Sequence, residues 1–168
     1  MITLLSFYRG ECSDIQGLSL DERLGIAAKQ WQELDTLLPW LFPCGAETNG
    51  ALGLSESEIR QFVFDAEATS GLYDMLRTVL PLFGITFWDS AQGYAAEVHA
   101  EQLAEAEISA RCALYLPGVV ITLQRLGLGA QQQALVAALQ TYADDYADTA
   151  AANILAMTEE IVKQTDGQ

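Results

Sequence analysis

Apolar residues recur at intervals of three and four along most of the chain, which is the spacing of one face of a helix. The pattern is most regular after residue 130, where neither Pro nor Gly interrupts the chain as far as residue 163. It predicts one long amphipathic helix or two abutting helices, with Asp144 and Asp145 at the favoured break. The apolar positions of this face are Leu135, Leu139, Tyr142, Tyr146, Ala150, Ile154, Met157 and Ile161.

Helix-start and helix-stop signals are found through the rest of the chain. Ser-x-x-Glu capping boxes at residues 19–22 and 55–58 predict two helix starts, because each side chain binds a free amide of the first turn. Gly84 is a plausible C-cap for a helix that starts near Ser70. A further helix is expected over residues 91–116, ended by Pro117 and Gly118, and the apolar residues 119–126 are expected to be buried.

The pattern as a whole predicts an all-α fold: a compact multi-helix domain that spans residues 1–168 as a single unit. With 168 residues and 51% apolar side chains, the chain has the size and composition of one folded domain with a sizeable core. No strand partner is evident for the β-branched run at residues 119–122.

Charge narrows the range of partners. The chain has 23 acidic and 8 basic residues, giving a net charge of −15. Such a surface repels phosphate backbones and anionic lipids, so we expect neither direct nucleic-acid binding nor membrane binding. The three cysteines, Cys12, Cys44 and Cys112, are far apart and form no CxxC pair, which predicts free thiols, no metal and a cytoplasmic protein. No cofactor motif is present, and no apolar run approaches the length of a membrane span.

Four short motifs follow one another in a specific order. Phe-Tyr-Arg-Gly at residues 7–10 is followed by Trp-Leu-Phe-Pro at 40–43, by a helix ending Leu-Phe-Gly-Ile at 82–85, and by Leu-Gln-Arg-Leu-Gly-Leu at 123–128. This order and spacing resembles the conserved domain of the opioid growth factor receptor family, which includes many small bacterial proteins. The resemblance covers about residues 4–139 and leaves residues 140–165 as a helical extension.

The resemblance implies an α-helical domain without established catalytic machinery. Its signature residues are expected to be structural, and Arg9, beside an aromatic ring, is expected to form an internal ion pair, with a ligand contact as the alternative. The signature residues are Phe7, Tyr8, Arg9, Gly10, Trp40, Leu41, Phe42 and Pro43.

Two groups of acidic residues are candidate sites. Glutamates that recur every four residues would form a carboxylate stripe on the helix expected over residues 91–116, and three aspartates form a second cluster. Each group is either a solvated face or a docking surface for a basic partner. His99, the only histidine, is expected in the middle of that helix and is interpreted as incidental. The two groups are Glu97, Glu101 and Glu105, and Asp144, Asp145 and Asp148.

The function favoured by these observations is a non-enzymatic interaction module, whose acidic surface docks a partner protein with a basic or polar surface. An alternative is an acidic protein that imitates nucleic acid and inhibits a DNA-binding protein, since carboxylates spaced along helices can occupy a phosphate channel. A metal-assisted hydrolase with an Asp/Glu site is the least favoured reading, because no catalytic constellation supports it. Homo-oligomerisation remains open.

Overall fold

The computed structural model describes residues 3–27, 38–42 and 55–146, together with the single positions 152, 155, 156, 159, 160 and 163. This part of the chain is mostly helical and contains one small antiparallel sheet. In chain order the elements are α1 (Leu4–Tyr8), α2 (Leu20–Ala27), α3 (Leu38–Leu41), α4 (Glu56–Phe64), α5 (Ala66–Val79), a 3-10 helix (Leu80–Phe83), β1 (Ile85–Ser90), β2 (Gly93–Val98), α6 (Ala100–Leu103), α7 (Ala106–Arg125) and α8 (Gly129–Tyr146).

The two predicted capping boxes are confirmed in atomic detail, whereas the helix expected to start near Ser70 begins earlier, at Ala66 after the N-cap residue Asp65. The backbone N–H of Glu22 donates to Ser19 Oγ at 3.3 Å, and the N–H of Ser19 donates to the Glu22 carboxylate at 2.9 Å. Ser55 and Glu58 form the same reciprocal pair at the start of α4. The predicted C-cap is also correct, because Gly84 ends the 3-10 helix in the left-handed conformation at φ +73°.

The prediction of an all-α fold is wrong for residues 85–98, which form a β-hairpin. Its register pairs Ile85 with Val98 and Ser90 with Gly93 across a two-residue turn. The alanines and Glu97 of β2 have low strand propensity, and they misled the sequence interpretation. Pairing with β1, which turns Ile85 and Phe87 into the core, and packing against α8 override that local preference.

The helix end expected at Pro117 is also misplaced. Helix α7 begins at Ala106 and continues through Pro117 to Arg125. Pro117 is buried in this helix. Of residues 119–126, which were expected to be buried, all are buried except Gln124, which is partly exposed, and Arg125, which is exposed. Contrary to the expectation that no apolar run approaches the length of a membrane span, α7 has 20 residues and a mean hydropathy of 1.3, and it is the one helix of the described residues that is long and apolar enough to cross a membrane. A buried core helix has the same length and composition, and eight of its residues are buried here.

Helix α1 lies in the core. It has only five residues, and the burial of four of their side chains stabilises it. Phe7 and Tyr8 are almost fully buried, and the Tyr8 hydroxyl donates to the Leu41 carbonyl at 3.2 Å. Phe62 packs edge-on against Tyr8, with ring centroids 5.9 Å apart. Leu41 and Phe42 are buried in the same core. The packing predicted for Phe42 is thus confirmed, while the side chain of Trp40 and the whole of Pro43 lie outside the described residues.

Helix α8 carries the first part of the predicted C-terminal amphipathic face. Leu135, Leu139 and Tyr142 are buried, as predicted. The helix includes Asp144 and Asp145, so these residues are not the predicted break. Residues 147–151 lie outside the described part, and the single described positions beyond them are helical.

Candidate functional site

A groove lies between strand β2 and helix α8, and we refer to it as the β2–α8 groove. It has a volume of about 490 Å³. Five of its eleven lining residues are alanines, contributed by both elements, and each element also contributes one tyrosine and one carboxylate. Its lining residues are Tyr94, Ala95, Ala96, Glu97 and Val98 of β2, and Ala134, Ala137, Ala138, Thr141, Tyr142 and Asp145 of α8.

Small side chains contribute to the groove, since two alanines of β2 face three alanines of α8 where the strand and the helix pack side by side. The strand wall is fixed by aromatic packing. The Tyr94 ring stacks on Phe87 with centroids 5.8 Å apart and an interplanar angle of 6°. Tyr73 of α5 lies 5.4 Å from Tyr94, and its hydroxyl donates to the Asp89 carboxylate at 2.5 Å. Burial, together with this acidic neighbour, raises the pKa of Tyr73, so the hydroxyl stays protonated.

The structure brings together one residue from each predicted acidic group. Glu97 of β2 and Asp145 of α8 are both exposed and line the same groove. Their side chains are therefore available to a ligand in the groove without breaking a contact of the core. Sequence spacing alone did not link these two positions, because the link depends on the hairpin.

The remaining acidic candidates do not form the predicted stripe. Glu97 lies in a strand, Glu101 in the short helix α6 and Glu105 at the N-cap position of α7. The single helical face expected for these three glutamates is therefore wrong, because the hairpin takes Glu97 out of any helix. Asp144 is exposed and accepts a hydrogen bond from Gln140 Nε2 at 2.8 Å. Asp148 lies outside the described residues.

His99 closes the hairpin rather than lying within a helix. Its backbone N–H donates to the Gly84 carbonyl at 2.7 Å, and its Nε2 lies 2.5 Å from Thr86 Oγ1. It stands at the N-cap position of α6, so the expected mid-helix placement is wrong. These contacts give His99 a structural role at the junction of β2 and α6.

Arg9 forms the internal ion pair that the sequence led us to expect. Its guanidinium contacts the Asp65 carboxylate through two nitrogens, with Nε at 2.5 Å from Oδ2. Asp65 also caps α5 by accepting from the Ala68 N–H at 2.9 Å. The bond from Arg9, followed by the one from Ala68, lowers the pKa of Asp65. Gly10 follows at φ +74°, which suits a residue without a Cβ.

The described residues contain no cluster that could hold a metal ion, and one of their two thiols is deeply buried. No group of three or more His, Cys, Asp or Glu side chains within residues 3–27, 38–42 and 55–146 is arranged to hold a metal ion. Cys12 and Cys112 are free thiols, and burial raises the pKa of Cys112 to about 12. A deeply buried thiol with this pKa is a poor nucleophile.

The sequence interpretation missed the non-acidic walls of the groove. A usable signal existed, since Ile-Thr-Phe-Trp at residues 85–88 is rich in strand-forming side chains and is followed by a Gly at 93 and an aromatic residue at 94.

Comparison of the chain with protein-family models, with curated proteins and with solved structures finds no match.

Proposed function

We propose that this chain is a non-enzymatic interaction module that binds a basic segment of a partner protein in the β2–α8 groove. The observation that carries the proposal is the convergence of Glu97 and Asp145 on one groove lined by small side chains. Each carboxylate is exposed, so a Lys or Arg side chain can reach it without a conformational change of the core.

The charge of the whole chain supports the same partner. A net charge of −15 attracts cationic segments from a distance and speeds their association at low salt. The small side chains in the groove allow the backbone of the segment to approach closely, and the two carboxylates favour a segment with Lys or Arg side chains. In this proposal the long-range field sets the association rate and the groove sets the location.

The resemblance to the opioid growth factor receptor family is also kept as a proposal, and it concerns the fold. Phe7, Tyr8, Leu41 and Phe42 are buried, and Arg9 is paired with Asp65. Packing and this ion pair thus account for these five signature residues, and they support no particular ligand. The proposed binding groove lies elsewhere, on β2 and α8.

The nucleic-acid-mimic alternative needs carboxylates in rows along a helix. Glu97, Glu101 and Glu105 lie on three different elements, which favours docking in a groove over imitation of a phosphate backbone. Metal-assisted hydrolysis would need at least a third ligand beside Glu97 and Asp145, and no other acidic residue lines the described groove.

The test uses a fluorescently labelled peptide of alternating Lys and Thr, with a peptide of alternating Glu and Thr as its control. Binding is measured by fluorescence anisotropy for the wild type and for the double variant Glu97→Gln/Asp145→Asn. The matched control is Glu101→Gln/Asp144→Asn, which removes the same charge from neighbouring exposed positions that do not line the groove.

We expect the Lys-Thr peptide to bind the wild type and the Glu-Thr peptide not to bind. The groove variant should weaken binding by roughly three- to tenfold at low salt, because two exposed ion pairs are lost. The control variant should weaken it by less. Equal weakening by both variants would mean that the charge acts diffusely, as in a nucleic-acid mimic, and absence of binding to the wild type would refute the docking proposal.

A further inference from the structure

We propose that Trp88 belongs to the binding surface for the basic segment, and that its exposed ring makes this surface selective for arginine over lysine. The inference rests on the proposed function, since it specifies which cation the β2–α8 groove prefers. It names the ligand class as a segment whose arginine side chain donates to the Glu97 carboxylate and stacks on the indole ring of Trp88.

Trp88 is an exposed aromatic residue of β1. Its side chain is 39% exposed, whereas Phe87, one position earlier, is buried and packs edge-on against Tyr73. Successive side chains of a strand point to opposite faces of the sheet. Phe87 therefore lies on the face of the hairpin that packs in the core, and Trp88 lies on the opposite face. We refer to that opposite face as the open face of the hairpin, and it presents an aromatic ring to solvent.

The neighbours of Trp88 on the open face are all small, apart from one. Ala95 is directly opposite Trp88, and Gly93 occupies one diagonal position on β2. Thr86 and Ser90 lie two positions away along β1 on the same face. None of these four residues has a side chain large enough to cover an indole ring. A planar ligand group therefore has room to lie against the ring.

The one larger neighbour is Glu97, and it connects the ring to the groove. Glu97 is paired with Thr86, so it occupies the second diagonal position beside Trp88. Diagonal neighbours are about 7–8 Å apart, within reach of aromatic and long side chains. Glu97 and Ala95 also line the β2–α8 groove. A cationic side chain that binds Glu97 in the groove is therefore within reach of the indole ring.

The chemistry of this pair favours a guanidinium group. Tryptophan attracts cations to the face of its ring more strongly than the other aromatic side chains do. A planar guanidinium can stack on the ring while its N–H groups donate to the Glu97 carboxylate, whereas the lysine ammonium is a compact and strongly hydrated point charge. A nucleic-acid base could also stack on an indole ring, but its phosphates would be repelled by a chain of charge −15. The occupant to which the proposal commits is therefore an arginine of a protein segment.

The first test compares a labelled peptide of alternating Arg and Thr with the Lys-Thr peptide by fluorescence anisotropy. Wild type should bind the Arg-Thr peptide more tightly. Trp88→Leu should lower the affinity for the Arg-Thr peptide roughly two- to fivefold, as for one exposed cation–π contact, and should lower the affinity for the Lys-Thr peptide less. The result that would overturn the inference is an equal effect of Trp88→Leu on the two peptides, or no effect on either.

The matched control for Trp88→Leu is Phe64→Leu. Phe64 is the last residue of α4, is 90% exposed and does not line the groove. The control therefore removes an exposed aromatic ring from another part of the surface and should leave both affinities unchanged. If Phe64→Leu lowered the affinity for the Arg-Thr peptide as much as Trp88→Leu does, the peptide would bind exposed rings without selecting the site, and the inference would fail.

The second test observes the ring of Trp88 in a protein of unchanged sequence. The three tryptophans are labelled as 5-fluorotryptophan, and the fluorine resonance of Trp88 is identified by its absence from Trp88→Phe. Addition of the Arg-Thr peptide should shift this resonance and should saturate at the same peptide concentration as the anisotropy does. A resonance of Trp88 that stays in place at saturation would show that the ring is outside the binding surface.

The outcomes separate this inference from the function on which it rests. If Glu97→Gln/Asp145→Asn weakens the binding of both peptides while Trp88→Leu shows no preference between them, the groove binds basic segments without the ring, and only the inference fails. If neither peptide binds the wild type, the proposed function fails and the inference fails with it. If Trp88→Leu weakens binding but the charge variant does not, the ring acts apart from the groove, which overturns both.

Discussion

Gly71 of α5 lies directly against the carbonyl oxygen of Tyr8, so that a methyl group built at Gly71 would overlap this oxygen. The side chain of Leu20 in α2 approaches the same point, with its Cδ2 2.9 Å from the position of such a methyl group. One glycine therefore sets how closely α1, α2 and α5 pack. This contact holds the Tyr8–Arg9 segment in place, from which Arg9 reaches Asp65.

The substitution Gly71→Ala should destabilise the fold by about 1–3 kcal/mol, the usual range for an overpacked core, because the overlap is with backbone that cannot move alone. Gly25→Ala is the matched control, since Gly25 is in α2 and has open space where a methyl group would be. That control should raise stability by up to about 1 kcal/mol through helix propensity. Urea unfolding measures both, and equal stability of the two variants would contradict this reading.

The ion pair between Asp14 and Arg23 is fully buried, with Arg23 Nη2 at 2.8 Å from Asp14 Oδ2. Arg23→Met alone should cost about 3–5 kcal/mol, because it leaves an uncompensated buried carboxylate. The double variant Asp14→Asn/Arg23→Met should recover much of this loss, since no buried charge then remains and the amide oxygen can still accept from the N–H groups of Gln16 and Leu18. A double-mutant cycle by chemical denaturation checks this, and additive losses would show that the pair is not coupled.

The Arg9–Asp65 pair predicts a pH dependence whose sign follows from the lowered pKa of Asp65. A carboxyl group with a lowered pKa in the folded state stabilises the fold above its unfolded pKa, near 3.9, and loses this contribution as the pH falls through its folded pKa. Asp65→Asn retains a capping side chain but lacks the charge. It should therefore be less stable than the wild type at neutral pH. The difference should shrink as the pH falls below the unfolded pKa, and it should vanish only once the pH lies below the lowered pKa of Asp65 in the folded state. Thermal unfolding over a pH series measures this difference. A gap that persists in strong acid would contradict the assigned cause.

The two described cysteines should differ strongly in reactivity. Cys112 is fully buried with a pKa raised to about 12, whereas Cys12 is half-buried and lies 3.3 Å from Ser6 Oγ. In a Cys44→Ser background, a thiol reagent should modify Cys12 in the folded protein and Cys112 only after denaturation. We expect the rate at Cys112 to be at least about a hundredfold lower than in the unfolded chain, because its thiolate is scarce and inaccessible. Mass spectrometry of the labelled peptides gives the two rates, and similar rates in the folded protein would refute the burial of Cys112.

Local signals predicted the parts of the fold that depend on neighbours in sequence. The capping boxes at Ser19 and Ser55 and the left-handed Gly84 need only residues within one or two turns. The hairpin was missed because its stability comes from Phe87 and Tyr94 packing against Tyr73, which is distant in sequence. Pro117 was misread for a similar reason, since burial in α7 compensates the hydrogen bond that proline cannot make.

The candidate site was predictable in its charge but not in its shape. The sequence identified Glu97 and Asp145 as members of two acidic groups, and the net charge indicated a basic partner. The sequence did not indicate that these two residues line one site. The helix expected over residues 91–116 would have placed Glu97 on one face with Glu101 and Glu105, separate from the aspartate cluster.

Reversal of the groove charge tests the central claim most directly. The variant Glu97→Lys/Asp145→Lys changes two exposed side chains, and circular dichroism confirms whether its fold is retained. Affinities for the Lys-Thr and Glu-Thr peptides are then measured at low and at physiological salt for the variant and the wild type. If the groove binds basic segments, the variant should have a lower affinity for the Lys-Thr peptide and a higher affinity for the Glu-Thr peptide than the wild type, most clearly at low salt. An unchanged preference for the Lys-Thr peptide would show that the partner binds elsewhere on the chain.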